Sequence, residues 1–149
     1  GSPRRRRHNY VQVRTTSNRP PRMATPVHPH HLRDFLEEAL HAPTSEAIVE
    51  YYHGARDPDT ARAVDKVARH LARRPDAAAA AARVARVDIS RDARGALDKL
   101  NVRILPQPST VVGYAHGGRA RWAHAGPLHS SAQLLEQLSF SASSSAASN

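Results

Sequence analysis

"IVEYYHGARDPDTARAV", residues 48–64, joins an apolar and aromatic run to a helix start. The run begins earlier, as "EAIVEYYH" (46–53), and has the length and composition of a strand covered on both faces. Gly54 closes it. Asp57 is a good N-cap, and Pro58 follows at the first helical position, where its missing N–H costs nothing. Ala61, Val64, Val67, Ala68 and Leu71 then fall on one stripe, Arg73 and Arg74 favour the C-terminal end, and Pro75 stops the helix.

Working outward, Leu32, Phe35, Leu36, Ala39 and Leu40 recur at helical spacing, opposite Glu37 and Glu38, until Pro43. On the other side, the alanine run 77–82 is a connection with at most a helical turn. "RVARVDIS" (83–90) is a second strand with Ala85, Val87 and Ile89 on one face, and "ARGALDKLNV" (93–102) is a short helix or turn. "STVVGYAH" (109–116) and "RARWAHAG" (119–126) make a hairpin about Gly117-Gly118, because a tight turn needs positive φ. "SSAQLLEQL" (130–138) is a terminal helix with a serine cap and Leu134, Leu135 and Leu138 inward. Strand, crossover helix and strand imply parallel pairing, and the hairpin adds antiparallel strands. The expectation is an α/β domain with a mixed central sheet flanked by helices.

The boundaries follow from composition. Residues 1–31 carry five prolines and no sustained apolar period, so they read as an extended arginine-rich arm rather than a folding unit. Residues 32–140 form the domain, and 141–149 a serine-rich tail that needs a partner to gain order. A chain of 149 residues suits one domain with tails. Apolar residues reach 40%, but aromatics only 5%, so the core is built from small aliphatic side chains.

Charge is unevenly placed. The net +9 arises almost wholly in residues 1–33, which hold eight arginines and no acid, leaving 14 of the 22 basic side chains against all 13 acids in the remainder. The near-neutral domain argues against an RNA-embedded body, and the arm, rich in Arg, Ser and Thr, resembles a mitochondrial targeting segment or the stretch just after one. A solvated tail is the plain alternative. No stretch approaches a spanning helix, and the N-terminus lacks the apolar centre of a secretory signal, so a soluble or membrane-peripheral chain is expected. Whether Gly1-Ser2 is native is open. With no cysteine, the 149 residues offer no disulfide, thiolate metal site or thiol catalysis.

Taken in order, these segments resemble the thioredoxin fold over about 110 residues, Leu32 to Leu138. The resemblance puts Glu50 in the place of the family's buried aspartate, Ala55 in that of its tryptophan, and Arg56 and Asp59 in those of its two redox cysteines, while Pro58 keeps the motif's proline. It also implies a cis-proline before the fourth strand, for which "VRILPQPST" supplies Pro106 by spacing and Pro108 by the strand just beyond it. A member without Cys-x-x-Cys is redox-inactive. "GARDPD" then reads as a capped helix start whose charge is satisfied from within by Asp57 and Asp59, with Arg56 pairing with either, rather than as an active site.

Other chemistry is sparse. "HPHHL" (28–32) is the densest histidine cluster, but its proline and the lack of nearby carboxylates argue against a metal site. His53, His70, His116, His124 and His129 make no i, i+4 pair, and there is no Gly-x-Ser-x-Gly elbow, phosphate loop or dinucleotide turn. An enzyme on this fold would need a thiol, serine or tyrosine at the helix start, where position 56 is arginine. No catalytic residue, cofactor or metal is expected. Tyr51 and Tyr52 read as core, Tyr114 and Trp122 as packing or as surface anchors.

Members of the fold without a working dithiol serve in mitochondrial respiratory complex I and in mitochondrial ribosomes. The resemblance therefore implies an accessory, non-catalytic subunit of a large mitochondrial assembly, in the matrix or on the matrix side of the inner membrane. Complex I is placed first because the domain is near neutral, and a ribosomal protein whose arm contacts rRNA is the alternative. Arg4, Arg5, Arg6, Arg7, Arg14, Arg19, Arg22 and Trp122 are the expected partner-binding residues, facing other protein subunits or rRNA.

Overall fold

The computed structural model describes residues 23–73, 82–92, 95, 109–128 and 130–137. In chain order these form β1 (Thr25–Pro26), a 3₁₀ turn (Pro29–His31), α1 (Leu32–Ala39), β2 (Glu46–Tyr52), α2 (Pro58–Arg73) and β3 (Arg83–Asp88). A second 3₁₀ turn (Ile89–Arg91), β4 (Ser109–Ala115), β5 (Arg119–Ala125) and α3 (Ser131–Leu135) complete the order. The five strands lie in the order β1-β3-β2-β4-β5, with β1, β3 and β2 parallel and β4 and β5 antiparallel to their neighbours. The mixed sheet expected from the sequence is present.

β2 is central and every one of its seven residues is buried, as its unbroken apolar run requires. Its alternate side chains serve two cores. Ala47, Val49 and Tyr51 join Leu32 and Leu36 of α1 with Ala85, Val87, Val112 and Tyr114. Ile48 joins Val64, Val67, Ala68 and Leu71 of α2 with Val84, Val111, Leu128 and Leu134. The two helices thus cover opposite faces of the sheet, and α3 packs beside α2.

Local chemistry sets the ends. β3 stops where the Asp88 carboxylate accepts from Ser90 N at 3.0 Å and turns the chain into a 3₁₀ turn, so the segment read as a strand to 90 is two residues shorter. Gly117 and Gly118, at φ +85° and +79°, make the β4–β5 connection. Ser130 Oγ caps α3 through Ala132 N.

The fold begins before Leu32. Residues 24–31, read as the end of the arm, belong to it: Thr25 and Pro26 pair with Ala85 and Arg86, and Val27 N donates to Arg86 O at 2.9 Å. Proline tolerates this place because β1 is an edge strand. Buried Ala24 N donates to the Asp65 carboxylate of α2 at 3.0 Å. Two residues of pairing are too few for a periodic signal in sequence. The arginines from Arg4 to Arg22, the alanines 77–81, residues 96–102, Pro106, Pro108 and the tail from 138 lie outside the described residues.

Candidate functional site

The junction between β2 and α2 is built around charge. Glu50 sits in the middle of β2 with its side chain wholly buried on the α2 side, where a lone carboxylate would be costly. Arg56 turns inward to meet it. Its Nε donates to both Glu50 oxygens at 3.2 Å and its Nη2 to Oε1 at 2.5 Å. The same guanidinium reaches α2, with Nη1 donating to Asp65 Oδ2 at 3.1 Å and Nη2 to Oδ1 at 3.3 Å. One cation bridges two carboxylates, and Asp65 also holds Ala24 N.

Burial raises the Glu50 pKa above the ordinary glutamate value, while the hydrogen bonds and charge of Arg56 pull it back. For Arg56, burial works against the charge, but hydrogen bonds to Glu50 and then Asp65 outweigh it and hold the guanidinium protonated. The expectation that Arg56 pairs with Asp57 or Asp59 is corrected by this geometry. Asp57 caps the helix instead, its Oδ2 accepting from Thr60 N at 3.0 Å and Thr60 Oγ1 at 2.7 Å, and Asp59 pairs with Arg62. The buried acids Glu50 and Asp65 claim the guanidinium because they lie inside, where no water replaces it.

A second polar knot fastens the helix start to the far side of the sheet. Thr60, fully buried, accepts from Leu128 N at 3.0 Å and lies 3.1 Å from Ser109 Oγ, which in turn donates to Gly126 O at 3.3 Å. Thr60 has one proton and gives it to Asp57. Asp57, Thr60 and Ser109 are therefore occupied in joining α2, β4 and the approach to α3. Gly54, at φ +78°, donates its N–H to Asp88 at 2.8 Å and fixes the exposed bend.

Of the residues singled out in the sequence, Glu50 and Arg56 come together, whereas Asp59 stays near the surface with Arg62. Trp122 is half-buried on the α2 side and lies directly over Gly113 of β4, so its indole is a packing element of the hairpin. Tyr114 is buried, its hydroxyl 2.6 Å from that of Tyr51. His28 and His30 stack at 4.9 Å, with His28 Nδ1 accepting from His30 N. Desolvation first, then Arg91, His30 and His31, lowers the His28 pKa. Among the described residues no group of three or more His, Asp or Glu side chains is arranged to hold a metal. Asp65, Thr60 and Ser109 were not singled out by sequence. A carboxylate beside the apolar stripe of a helix was the signal for Asp65; the two hydroxyls carry none.

Neither a protein-family model nor a curated protein matches the chain. Solved structures do. A chloroplastic thioredoxin z is 18% identical, with 81% of this chain and 96% of that one covered at a TM-score of 0.55. Thioredoxin f from spinach chloroplast is 13% identical, with 81% and 88% covered at a TM-score of 0.57. The chain has a thioredoxin-like fold, its 149 residues contain no cysteine for dithiol chemistry, and at its β2–α2 junction a guanidinium is locked between two carboxylates.

Proposed function

We propose that this is a non-catalytic, structural thioredoxin-like subunit of a large mitochondrial assembly, acting through the surfaces it presents. The observation that carries the reading is the Arg56 bridge: the side chain at the expected nucleophile position points into the protein and is committed to Glu50 and Asp65. With Asp57 and Thr60 tied into the cap, the helix start presents no free reactive group of the kind the fold otherwise uses. An arginine-rich segment preceding such a domain suits a staple laid across a neighbouring subunit.

Complex I is supported by the near-neutral formal charge of residues 34–149. Burial leaves that balance nearly unchanged, because Glu50 and Asp65 are paired with Arg56 and Glu46 with Arg121. The mitochondrial ribosome, whose rRNA the arginine-rich segment would contact, is the alternative reading. Sedimentation of a native mitochondrial lysate separates the two. A ribosomal subunit shifts to low mass when ribonuclease is added, a complex I subunit stays with detergent-solubilised membrane complexes, and a chain that runs alone in both conditions refutes the proposal.

A further inference from the structure

We infer that the outer face of α2 is an RNA-binding surface that reads the phosphate backbone. The inference deepens the ribosomal reading above and rests on it. Arg62, Lys66, Arg69 and Arg73 recur at steps of four, three and four residues, which places them on one stripe of the helix, opposite the buried Val64, Val67, Ala68 and Leu71. Over eleven residues that stripe runs about 16 Å. The acids of α2 leave it open: Asp59 pairs with Arg62 at the N-terminal end, and Asp65 is turned inward to Arg56.

Two placements show where the described chain begins relative to the stripe. Met23, the first described residue after the arginine-rich segment, lines a small pocket together with Ala68, Leu71 and Ala72 on the C-terminal half of α2. Ala24 is fixed to Asp65 of the same helix. The described chain therefore begins beside the C-terminal half of the helix that carries the stripe. The exposed acids Asp34, Glu37 and Glu38 are on α1, across the sheet. The exposed acids of α1 and the basic stripe of α2 thus lie on opposite faces of the sheet.

A phosphodiester backbone fits this face better than the alternatives. The stripe is linear and mostly arginine, suited to successive phosphates, and α2 has no Asn or Gln to read base edges. RNA duplexes are recognised through backbone and shape rather than base edges. An anionic membrane would favour several apolar side chains beside the cations, whereas Met23, near the C-terminal half of α2, is the single exposed large apolar residue among the described residues.

The test uses the full chain and an RNA duplex, with affinity measured across a salt series. Lys66→Gln, Arg69→Gln and Arg73→Gln together are expected to weaken binding at least ten-fold and to reduce the salt slope by about 2 to 3. A control with the same net charge, Arg33→Gln, Arg91→Gln and Arg119→Gln, should lose markedly less, and thermal melts confirm that both variants fold. Equal losses in the two variants would overturn the inference, as would an unchanged slope in the α2 variant or binding by the parent chain to phosphatidylserine vesicles in preference to RNA. Any of these removes the α2 surface alone; the ribosomal reading, which the arm can carry by itself, stands or falls separately on the ribonuclease shift in sedimentation.

Discussion

At the scale of single residues, the stability of the helix start depends on compensation within one cluster. Arg56→Ala would leave Glu50 buried with its closest cation gone, and breaking a buried pair from one side costs about 3 kcal/mol. The expected outcome is a lower urea midpoint with an unchanged m-value. The pH dependence has a definite sign. Glu50 has a raised pKa in the fold, so the folded state holds its proton more tightly than the unfolded chain does. Its contribution is complete below the ordinary glutamate value of 4.5 and is lost as pH rises through the folded pKa. Removing Arg56 removes the interaction that opposes the shift, so the deficit of Arg56→Ala should shrink on acidification from neutral pH, and Glu50→Gln added to it should abolish that pH dependence. Asp65 and Arg86 share the surroundings of Glu50 and remain in both variants. A deficit independent of pH would refute this account of the cluster. Glu50 stood out in the sequence as an acid in an apolar strand. Its partner did not, since pairing across the β2–α2 junction depends on which acids are buried, and local spacing favoured Asp57 and Asp59 equally.

At the scale of elements, the junctions carry the specificity. Thr60→Val keeps the volume but strands Leu128 N and removes the Asp57 and Ser109 contacts, and is expected to cost about 2 kcal/mol in chemical denaturation. Asp57→Ala loses the cap and should cost about 1 kcal/mol. The reverse order would mean that α2 is held by its cap rather than by the knot to β4. In the hairpin, a Cβ at Gly113 would enter the Trp122 indole, so Gly113→Ala must displace the ring or the strand. A loss of about 2 kcal/mol and a red-shifted emission from the chain's one tryptophan are expected. An unchanged spectrum would show that the indole does not pack there. Strands and long helices were legible because period two and period 3.6 are written in Val, Ile, Leu and Tyr; Ile48, Val64, Val67, Leu71 and Val111 meet in one core. β1 was not, because two residues have no period and Pro26 argues against pairing except at an edge. Trp122 was ambiguous for a similar reason: a tryptophan in a hairpin needs its cross-strand neighbour, Gly113, to show that it lies flat on the sheet.

At the scale of the whole molecule, formal charge and surface charge part company. The sequence shows 14 basic against 13 acidic side chains after residue 33, yet the exposed acids of α1 face away from the basic stripe of α2. Net charge does not reveal such a separation, because it needs the sheet to assign the two helices to opposite sides. The fold class was readable, and the absence of a thiol fixed what the helix start does not do. The proposed role in a mitochondrial assembly is tested directly by exchanging the full chain for one carrying Glu50→Leu, Arg56→Met and Asp65→Asn, which replaces the ion cluster by similar volumes and keeps an acceptor for Ala24 N. The account predicts that this variant, once shown to fold by its thermal transition, enters the same high-mass assembly in the same amount as the parent. A folded variant that assembles normally but leaves the organelle with a specific lost reaction would place chemistry at Arg56 and contradict the account.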